Sequence, residues 1–245
     1  MKKNYYLLIA MIMLIVSCSS NEEPIKKNLK LPVKLEQVEL AESNVSNYIY
    51  DEDNRLVKIL TGKGDVVIDE VVYSSGNLIR LNQPGGTADV YEYDDSVIKK
   101  HTRLQDNVPV EINEYTYKDG IVITEKVTFK FRIPEIITVY NYDYSLGSNI
   151  VKKVNAIDSK DFEVIVYDGK KFPFSGADYL KRVFPFTSYG NVIEQKSYTN
   201  NVLSSTTTNT ITYDNDDFPV KIVVKAVNGS GDYIWGETRN YTYNQ

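Results

Sequence analysis

Alternation of apolar and polar residues is the main pattern along this chain, and it predicts β-strands rather than helices. The clearest run extends from Ile121 to Ile133, where an apolar residue occupies nearly every second position. Such alternation is typical of a strand that has one buried face and one solvated face. Glu125 alone interrupts the apolar face of this predicted strand.

A tyrosine at the end of a strand recurs every 20 to 30 residues and divides the chain into similar units. The tyrosines in this position are Tyr50, Tyr73, Tyr93, Tyr117, Tyr142, Tyr167, Tyr189, Tyr213 and Tyr243. Turn-forming residues follow most of them, as in Ser74-Ser75-Gly76-Asn77, and a second alternating strand then begins. This repeat predicts an all-β fold. We expect an antiparallel meander of about eight hairpins that forms a strongly curved sheet or a barrel-like shell.

The connections between hairpins predict where a ligand would bind. We expect the short turns at one end of the sheet and every longer connection at the other. The longest connection, 170–186, contains a predicted short helical insertion near residues 175–183. Loops on a rigid scaffold commonly carry recognition, so the candidate ligand contacts are Tyr179, Phe184, Tyr233 and the single tryptophan, Trp235. We expect the aromatic residues of 170–186 to plug the open end of the sheet; the alternative is that they present an apolar floor to a ligand.

The N-terminus predicts a secretion signal with a site for lipid attachment. Two lysines precede an apolar run from Tyr5 to Val16, and Ser17 and Cys18 follow. Twelve helical residues span about 18 Å, less than the ~30 Å hydrocarbon core, so a cleaved signal is expected rather than a membrane-spanning helix. Ile15-Val16-Ser17-Cys18 resembles the lipobox of bacterial lipoproteins. That resemblance implies cleavage before Cys18 and its acylation, which makes membrane lipid a partner; an ordinary signal with an incidental cysteine is the alternative.

These features divide the chain into three parts. Residues 1–17 are the predicted lipoprotein signal peptide, 18–34 a lipidated N-terminus with a flexible tether, and 35–245 a single β-repeat domain. Ser19-Ser20-Asn21-Glu22-Glu23 is similar to the acidic tags that direct some Gram-negative lipoproteins to the outer face of the outer membrane. The similarity implies an outer-membrane protein that faces the extracellular side; a solvated tether is the alternative role.

Charge and composition narrow the classes of partner and of reaction. The net charge of −5 at pH 7 disfavours nucleic acid as a partner. Cys18 is the only cysteine and His101 the only histidine, so we expect no disulfide, no metal and no cofactor. His101 is the single candidate base for a Ser-His-Asp triad. Its place on a hairpin strand predicts that its side chain lies on the solvated face.

Acidic residues offer further candidate sites, each with a simpler interpretation. The segments Asp51-Glu52-Asp53-Asn54 and Asp214-Asn215-Asp216-Asp217 could bind calcium, but aspartate and asparagine are also the usual turn residues. Glu125 is the best candidate for the carboxylate of raised pKa that a glycosidase needs, although an ion pair would explain it as well. We therefore expect a protein without catalytic activity, with glycan hydrolysis as the alternative.

Tyrosine is unusually abundant, with 20 residues in the chain. Pairs two positions apart, such as Tyr91 and Tyr93, project to one face and would stack across neighbouring strands. Each cross-strand aromatic pair stabilises a sheet by about 0.2–1 kcal/mol, which is sufficient reason for a structural role. The alternative role is a platform on which sugar rings stack.

Two families share these turn-and-strand motifs. Tyr48-Ile49-Tyr50-Asp51 with Arg55-Leu56 is similar to one YD-type repeat of Rhs shells. The segments 167–174, 191–193 and 212–221 resemble a family of bacterial surface lipoproteins with a porin-like domain of unknown function. This resemblance extends over roughly Leu40 to Tyr243 and implies a curved sheet or barrel without an assigned activity.

The sequence as a whole predicts an outer-membrane-anchored, surface-exposed lipoprotein whose β-repeat domain binds a ligand or is a structural module. Strands such as 206–210 lack the apolar band of a membrane-inserted barrel, so we expect the domain to stand in water. The alternative function is capture or hydrolysis of glycan in a polysaccharide-uptake system. A glycan or an outer-membrane protein is therefore the expected partner besides lipid.

Overall fold

Sixteen antiparallel β-strands form most of the chain that the computed structural model describes, which comprises residues 29–40, 42–61, 66–95, 97–147, 149–175 and 189–244. A short 3-10 turn, Pro84–Gly86, lies between two of the strands. The strands are β1 (Pro32–Glu39), β2 (Glu42–Tyr50), β3 (Leu56–Thr61), β4 (Val66–Ser74), β5 (Asn77–Asn82), β6 (Thr87–Asp94), β7 (Val97–Gln105), β8 (Val108–Lys118), β9 (Ile121–Phe129), β10 (Ile136–Asp143), β11 (Ile150–Asn155), β12 (Phe162–Tyr167), β13 (Val192–Thr199), β14 (Val202–Tyr213), β15 (Pro219–Asn228) and β16 (Tyr233–Tyr243).

The sheet closes into a barrel. Each strand pairs with its neighbours in sequence, and β1 pairs with β16 to complete the circle. In the closing pair, Leu35 lies opposite Tyr241 and Gln37 lies opposite Arg239. The predicted all-β hairpin meander is therefore confirmed, and of the two predicted forms the structure adopts the barrel.

The connections alternate between two ends of the barrel because successive strands run in opposite directions. We term one end the turn end; it contains the connections 51–55, 75–76, 95–96, 119–120, 144–149, 168–191 and 214–218. We term the other end the rim; it contains 40–41, 62–65, 83–86, 106–107, 130–135, 156–161, 200–201 and 229–232. The longest connection, 168–191, thus lies among the short turns. The prediction that all long connections share the opposite end is wrong.

The described part of connection 168–191 gives no support to the predicted helical insertion near 175–183. The amide of Ser175 donates to the carbonyl oxygen of Phe172 at 2.9 Å, which makes a turn. Residues 176–188 lie outside the described residues. The predicted contacts Tyr179 and Phe184 fall in that stretch.

Irregular pairing beside the repeated tyrosines changes which residues face inward. The register shifts between Ile49 and Tyr50, between Val72 and Tyr73, and at the equivalent places before Tyr93, Tyr117 and Tyr213. Such β-bulges re-aim the side chains of the bulged strand. As a result Val122 is 2% exposed and Ile121 is 40% exposed, the reverse of what simple alternation predicts.

Two apolar clusters fill the barrel at the turn end. Leu31, Leu56 and Leu78 form one, and the ring of Phe174 packs edge-on against Tyr48 beside it, with the ring centres 5.2 Å apart. Val122, Tyr142, Val151 and Tyr167 form the other, and Tyr189 packs against it. Residues from both ends of connection 168–191 therefore lie inside the barrel. This arrangement supports the expectation that the connection plugs the barrel, but the plug lies at the turn end and not at the opposite end.

Tyrosine hydroxyl groups tie several repeats to the repeat before them. Five of the repeated tyrosines, and also Tyr144, donate to a backbone carbonyl oxygen near the start of an earlier strand: Tyr50 to Pro32 (2.8 Å), Tyr73 to Leu56 (2.8 Å), Tyr93 to Leu78 (2.7 Å), Tyr117 to Ile98 (2.8 Å), Tyr144 to Val122 (2.6 Å) and Tyr243 to Pro219 (2.9 Å). Burial raises the pKa of Tyr117 to about 12, so its hydroxyl remains a donor. These contacts favour the structural role of the tyrosines over a sugar platform.

Candidate functional site

A cavity of about 490 Å³ lies inside the barrel beside β12 to β16, between the plugged turn end and the rim. Small-molecule sites in proteins commonly have volumes of about 300–1,000 Å³. The described residues that line the cavity are Tyr167, Phe172, Pro173, Gly190, Asn191, Val192, Gln195, Thr207, Asn209, Ile222, Val224, Trp235, Arg239 and Tyr241. We term this space the lumen cavity.

Strand pairing explains why these side chains face inward. On β15, Ile222, Val224 and Ala226 are buried, whereas the alternate residues point outward. Directly paired residues project to the same face of a sheet. Because Ile222 pairs with Arg239 and Ala226 pairs with Trp235, both β16 residues face the lumen. Trp235 is near the rim and 39% exposed, so it stands at the mouth of the cavity.

The side-chain oxygen of Asn209 is unsatisfied. The Asn209 amide nitrogen donates to the carbonyl oxygen of Val192 at 2.8 Å, which fixes the orientation of the group. Its Oδ1 is buried and has no hydrogen-bond partner within the described part of the chain. A buried polar atom without a partner costs about 1–3 kcal/mol. Because Asn209 also lines the lumen cavity, a small rotation of its side chain would bring this oxygen within reach of a donor in the cavity.

The charge of Arg239 is compensated within the barrel wall. Its Nε donates to Oε1 of Glu237 at 2.6 Å, and the two side chains form an ion pair. The other carboxylate oxygen of Glu237 accepts a hydrogen bond from Gln37 at 2.8 Å. Arg239 therefore offers donor groups to the cavity without a net positive charge.

His101 belongs to a second polar cluster, on the part of the lumen wall formed by β6 to β8. The prediction that it lies on the solvated face is wrong, since it pairs with Tyr91 and Asn113 on the inner face. The ring stacks on Tyr91, with centres 5.0 Å apart. Its Nε2 lies 2.8 Å from Oδ1 of Asp89, which also accepts from Arg103 at 3.1 Å.

Both ring nitrogens of His101 are engaged in this cluster. Asn113 Nδ2 lies 3.2 Å from His101 Nδ1 and donates to Glu111 Oε1 at 3.0 Å. This orientation assigns Nδ1 as an acceptor and Nε2–H as the donor to Asp89. A general base needs a free nitrogen directed at a substrate, and this geometry leaves none.

Burial and charge act in opposite directions on Asp89. Burial alone would raise the pKa of its carboxyl group, but the hydrogen bond from His101 and the charge and hydrogen bond of Arg103 outweigh burial. The pKa of Asp89 is therefore held below its ordinary value. The carboxylate is charged at neutral pH and stabilises the cluster.

Glu125 is held by an ion pair. Its Oε2 lies 2.8 Å from Lys153 Nζ and accepts a hydrogen bond from the Tyr142 hydroxyl at 2.7 Å. The ion pair that the sequence left as one explanation of this inward acid is present. Both partners of the Glu125 carboxylate are thus side chains of the barrel wall itself.

The two acidic turns use their carboxylates as turn acceptors. Asp51 Oδ1 accepts from the amides of Asp53 and Arg55, both at 2.9 Å. Asp214 Oδ1 accepts from Asp216 at 2.9 Å and from Phe218 at 3.0 Å. Within the described residues no group of three or more acidic, histidine or cysteine side chains could hold a metal ion. Turn formation accounts for both segments.

The candidate contacts from the sequence separate in the structure. Trp235 lines the lumen cavity, whereas Tyr233 lies outside the barrel, with its hydroxyl 3.2 Å from the position a Cβ on Gly236 would take. Cys18, Tyr179 and Phe184 are outside the described residues. Asn209, Gln195 and Arg239 were not among the residues that the sequence pattern indicated. Inward alternation on β13 to β16 was the signal that could have identified them.

The outer wall of the barrel carries charged side chains at mid-strand. Glu92, Lys100, Glu114 and Lys126 lie in one row across β6 to β9, because each pairs with the next. Lys100 contacts Glu92 at 2.7 Å and Lys126 contacts Glu114 at 2.8 Å. Alternating charges of this kind suit a surface in water.

Large apolar side chains are exposed around the rim. They occur at or beside six of its eight connections, and the connection 62–65 lies outside the described residues. The exposed residues are Leu40, Val108, Phe131, Ile133, Ile157, Val202, Tyr233 and Ile234. Larger exposed apolar surfaces commonly mark contacts with proteins, ligands or membranes.

In the described part of the chain, no helix is sufficiently long and apolar to span a membrane.

This chain is similar to known proteins in its fold. A scan against protein-family models finds no match, and a search of curated proteins finds none either. A porin-like protein from Bacteroides uniformis is similar in structure, with a TM-score of 0.56 and 16% identity over 87% of this chain and 96% of that chain. A porin-like protein from Bacteroides vulgatus has a TM-score of 0.54 and 13% identity over 88% of this chain and 99% of that chain.

A DUF4623 family protein from Bacteroides eggerthii also matches 83% of this chain and 56% of that chain, at 14% identity, but its TM-score of 0.19 supports no inference. At these identities the two stronger matches show the fold alone: the chain has a porin-like β-barrel.

Proposed function

We propose that this protein is a lipid-anchored, surface-exposed outer-membrane protein whose barrel binds a small ligand in the lumen cavity without catalysing a reaction. The observation that carries the proposal is the unsatisfied Oδ1 of Asn209 in the wall of a cavity of about 490 Å³. Trp235 at the mouth and Tyr241 in the wall add the aromatic surface that ligand pockets commonly have.

The membrane anchor rests on the first eighteen residues and is compatible with the fold. The charged start, the apolar run and Cys18 match the order of a lipoprotein signal. The porin-like barrels of similar structure come from Bacteroides. The acidic segment 19–23 supports export to the outer face.

The charged outer wall supports a barrel that stands in water beside the membrane. A charged side chain on the lipid face of a barrel costs about 2–4 kcal/mol at the bilayer midplane. Glu92, Lys100, Glu114 and Lys126 would all contact lipid in an inserted barrel. Lipid on Cys18 would hold such a barrel at the surface without inserting it.

The contacts of the candidate catalytic groups support a protein that binds a ligand without catalysing a reaction. His101 has both nitrogens occupied by Asp89 and Asn113, and Glu125 is neutralised by Lys153. Groups held in this way stabilise the barrel wall.

Thermal unfolding of the full-length protein in detergent tests the lumen site. We expect at least one compound from a panel of sugars, amino acids, nucleosides and fatty acids to raise the melting temperature, because ligands that bind only the folded state stabilise it. The increase should be lost in Asn209→Leu and kept in Tyr233→Phe, which alters only the outer surface. Trp235→Phe provides a second lumen variant. A compound that raises the melting temperature of wild type, Asn209→Leu and Trp235→Phe by the same amount would contradict the proposal.

The apolar rim favours a second candidate function, which is docking to an outer-membrane protein. A photoreactive amino acid at Ile133 should then cross-link to one membrane protein in intact cells, and the same group at Leu146, an exposed residue of the turn end, should not. Equal cross-linking from both positions would argue against a rim interface.

A further inference from the structure

We infer that the lumen cavity receives a neutral, polyhydroxylated ligand, namely the terminal unit of a saccharide. This inference rests on the proposed function and adds the chemical class of the ligand. Its basis is the division of the cavity into a hydrogen-bonding wall and an apolar wall, together with the cancellation of its charge.

One wall of the cavity offers neutral hydrogen-bonding groups. Gln195 on β13 and Thr207 on β14 lie directly opposite each other, and Asn209 is two residues further along β14. An amide side chain both donates and accepts hydrogen bonds, and so does a hydroxyl. Such a set matches sugar hydroxyls, which also do both. The buried Oδ1 of Asn209 has no partner among the described residues, and a small rotation of the side chain would present it to a donor on the ligand.

The adjoining part of the wall, on β15 and β16, is mainly apolar and aromatic. Ile222 and Val224 line it on β15, and Trp235 and Tyr241 line it on β16 on either side of Arg239. Aromatic rings present a flat, weakly negative face, against which the C–H groups of a sugar ring can pack. A ligand with polar edges and an apolar face satisfies both walls at once, whereas a fatty acid would leave the Asn209 oxygen without a donor.

The electrostatics of the cavity favour a ligand without charge. Arg239 is the one charged residue among the lining residues that the structure describes, and Glu237 already neutralises it. An anionic ligand would have to compete with Glu237, whose side chain is 9% exposed and also bonded to Gln37. A cationic ligand would find no unpaired carboxylate among these lining residues.

The position of the mouth favours a chain end as the bound unit. Phe172 and Pro173 of the plugged turn end form the floor of the cavity, and Trp235 stands at the rim side. A saccharide can therefore insert its last unit while the remainder leaves past Trp235. The apolar and polar rim residues would then contact the following units.

Tryptophan fluorescence tests this inference directly, because Trp235 is the only tryptophan in the chain. Full-length protein in a detergent without a sugar headgroup is titrated with glucose, galactose, maltose and cellobiose. Glucuronic acid, glucosamine and palmitate serve as the anionic, cationic and apolar comparisons. We expect a saturable change with at least one neutral sugar and binding at least about tenfold weaker for the charged sugars.

Variants locate the binding. Asn209→Leu should weaken the binding of the neutral sugar by about tenfold or more, because the donor on the ligand loses its acceptor. Trp235 fluorescence still reports binding in this variant. Thr207→Val is nearly isosteric and provides a second lumen variant if circular dichroism shows that Asn209→Leu is unfolded. Tyr233→Phe, on the outer surface near Trp235, is the matched control and should bind as wild type does.

The outcomes separate the ligand class from the site. Preferred binding of glucuronic acid, glucosamine or palmitate that is lost in Asn209→Leu would overturn the saccharide inference and keep the lumen site. Sugar binding that both lumen variants retain in full would overturn the lumen site itself. A flat titration with all four neutral sugars would also overturn the saccharide inference.

Discussion

The hydroxyl of Tyr73 donates a hydrogen bond to the carbonyl oxygen of Leu56, 2.8 Å away, and so joins one repeat to the repeat before it. Tyr93 makes the same contact with Leu78, and Tyr117 makes it with Ile98. The acceptor residues are almost fully buried, so their carbonyl groups need a partner inside the barrel. The repeated tyrosine therefore meets a backbone requirement of the preceding hairpin.

Removal of one such tyrosine should destabilise the barrel in two separable parts. Tyr117→Ala should lower the free energy of unfolding by about 3–5 kcal/mol, as aromatic truncations in cores do. Tyr117→Phe removes only the hydroxyl and should cost about 1–3 kcal/mol, because the Ile98 carbonyl oxygen loses this donor. Chemical denaturation measures both values. Tyr233→Phe, at an exposed tyrosine, is the control; unchanged stability in Tyr117→Ala would show that this ring is not part of the core.

Lys153 should matter mainly because of the acid it neutralises. Lys153→Met leaves the Glu125 carboxylate, 12% exposed, with the Tyr142 hydroxyl but without a positive partner. We expect a loss of about 3 kcal/mol in the free energy of unfolding. The double variant Lys153→Met/Glu125→Gln should recover part of that loss, since no buried charge remains. A double variant less stable than Lys153→Met would contradict the assignment of the ion pair.

Asp89 should make the barrel sensitive to acid. A carboxyl group whose pKa is lowered by folding stabilises the folded state above its unfolded pKa, about 3.9, and this contribution disappears as the pH falls through the folded value. Denaturation of wild type and Asp89→Asn should therefore differ most near neutral pH. The difference should shrink as the pH falls below about 4. A difference that grows toward low pH would show that the sign of the shift is wrong.

Cys18 should determine where the protein resides in the cell. Cys18→Ala removes the sulfur that the lipobox resemblance predicts to be acylated. We expect the variant to remain unprocessed or to appear in a soluble fraction, as detected by fractionation and mass spectrometry. Cys18→Ala that is matured and retained in the membrane like wild type would rule out lipid anchoring through this residue.

The sequence predicted the hairpins well because their signals are local. Alternation, turn residues such as Ser75 and Gly76, and the spacing of the tyrosines all act within a few residues. Closure of the sheet was not predictable in this way, since it depends on the pairing of β1 with β16 across the whole chain. The inward or outward direction of the Ile121 and Val122 side chains was predicted wrongly, because one bulge reverses the alternation.

The candidate site was predicted only in part, for a related reason. Trp235 stood out because the chain has a single tryptophan. Asn209 lies in a run of threonines on β14 that looks like an ordinary solvated strand. Its role depends on the neighbouring Val192 carbonyl, which holds the amide so that its oxygen is buried. His101 was assigned to the wrong face because inward polar residues are unusual in a compact core, whereas this barrel has a polar inner wall.

The pairing of β1 with β16 also constrains the order in which the molecule can form. Pro32 lies opposite Tyr243, so the first strand cannot gain its second neighbour until the last strand has left the ribosome or the export channel. An unpaired strand edge is a template for aggregation, and contacts between distant residues form slowly. A nascent chain that ended before β16 would expose the edges of both β1 and β15. Folding of this barrel is thus a late event, and protection of two open edges during export becomes a requirement of its biogenesis.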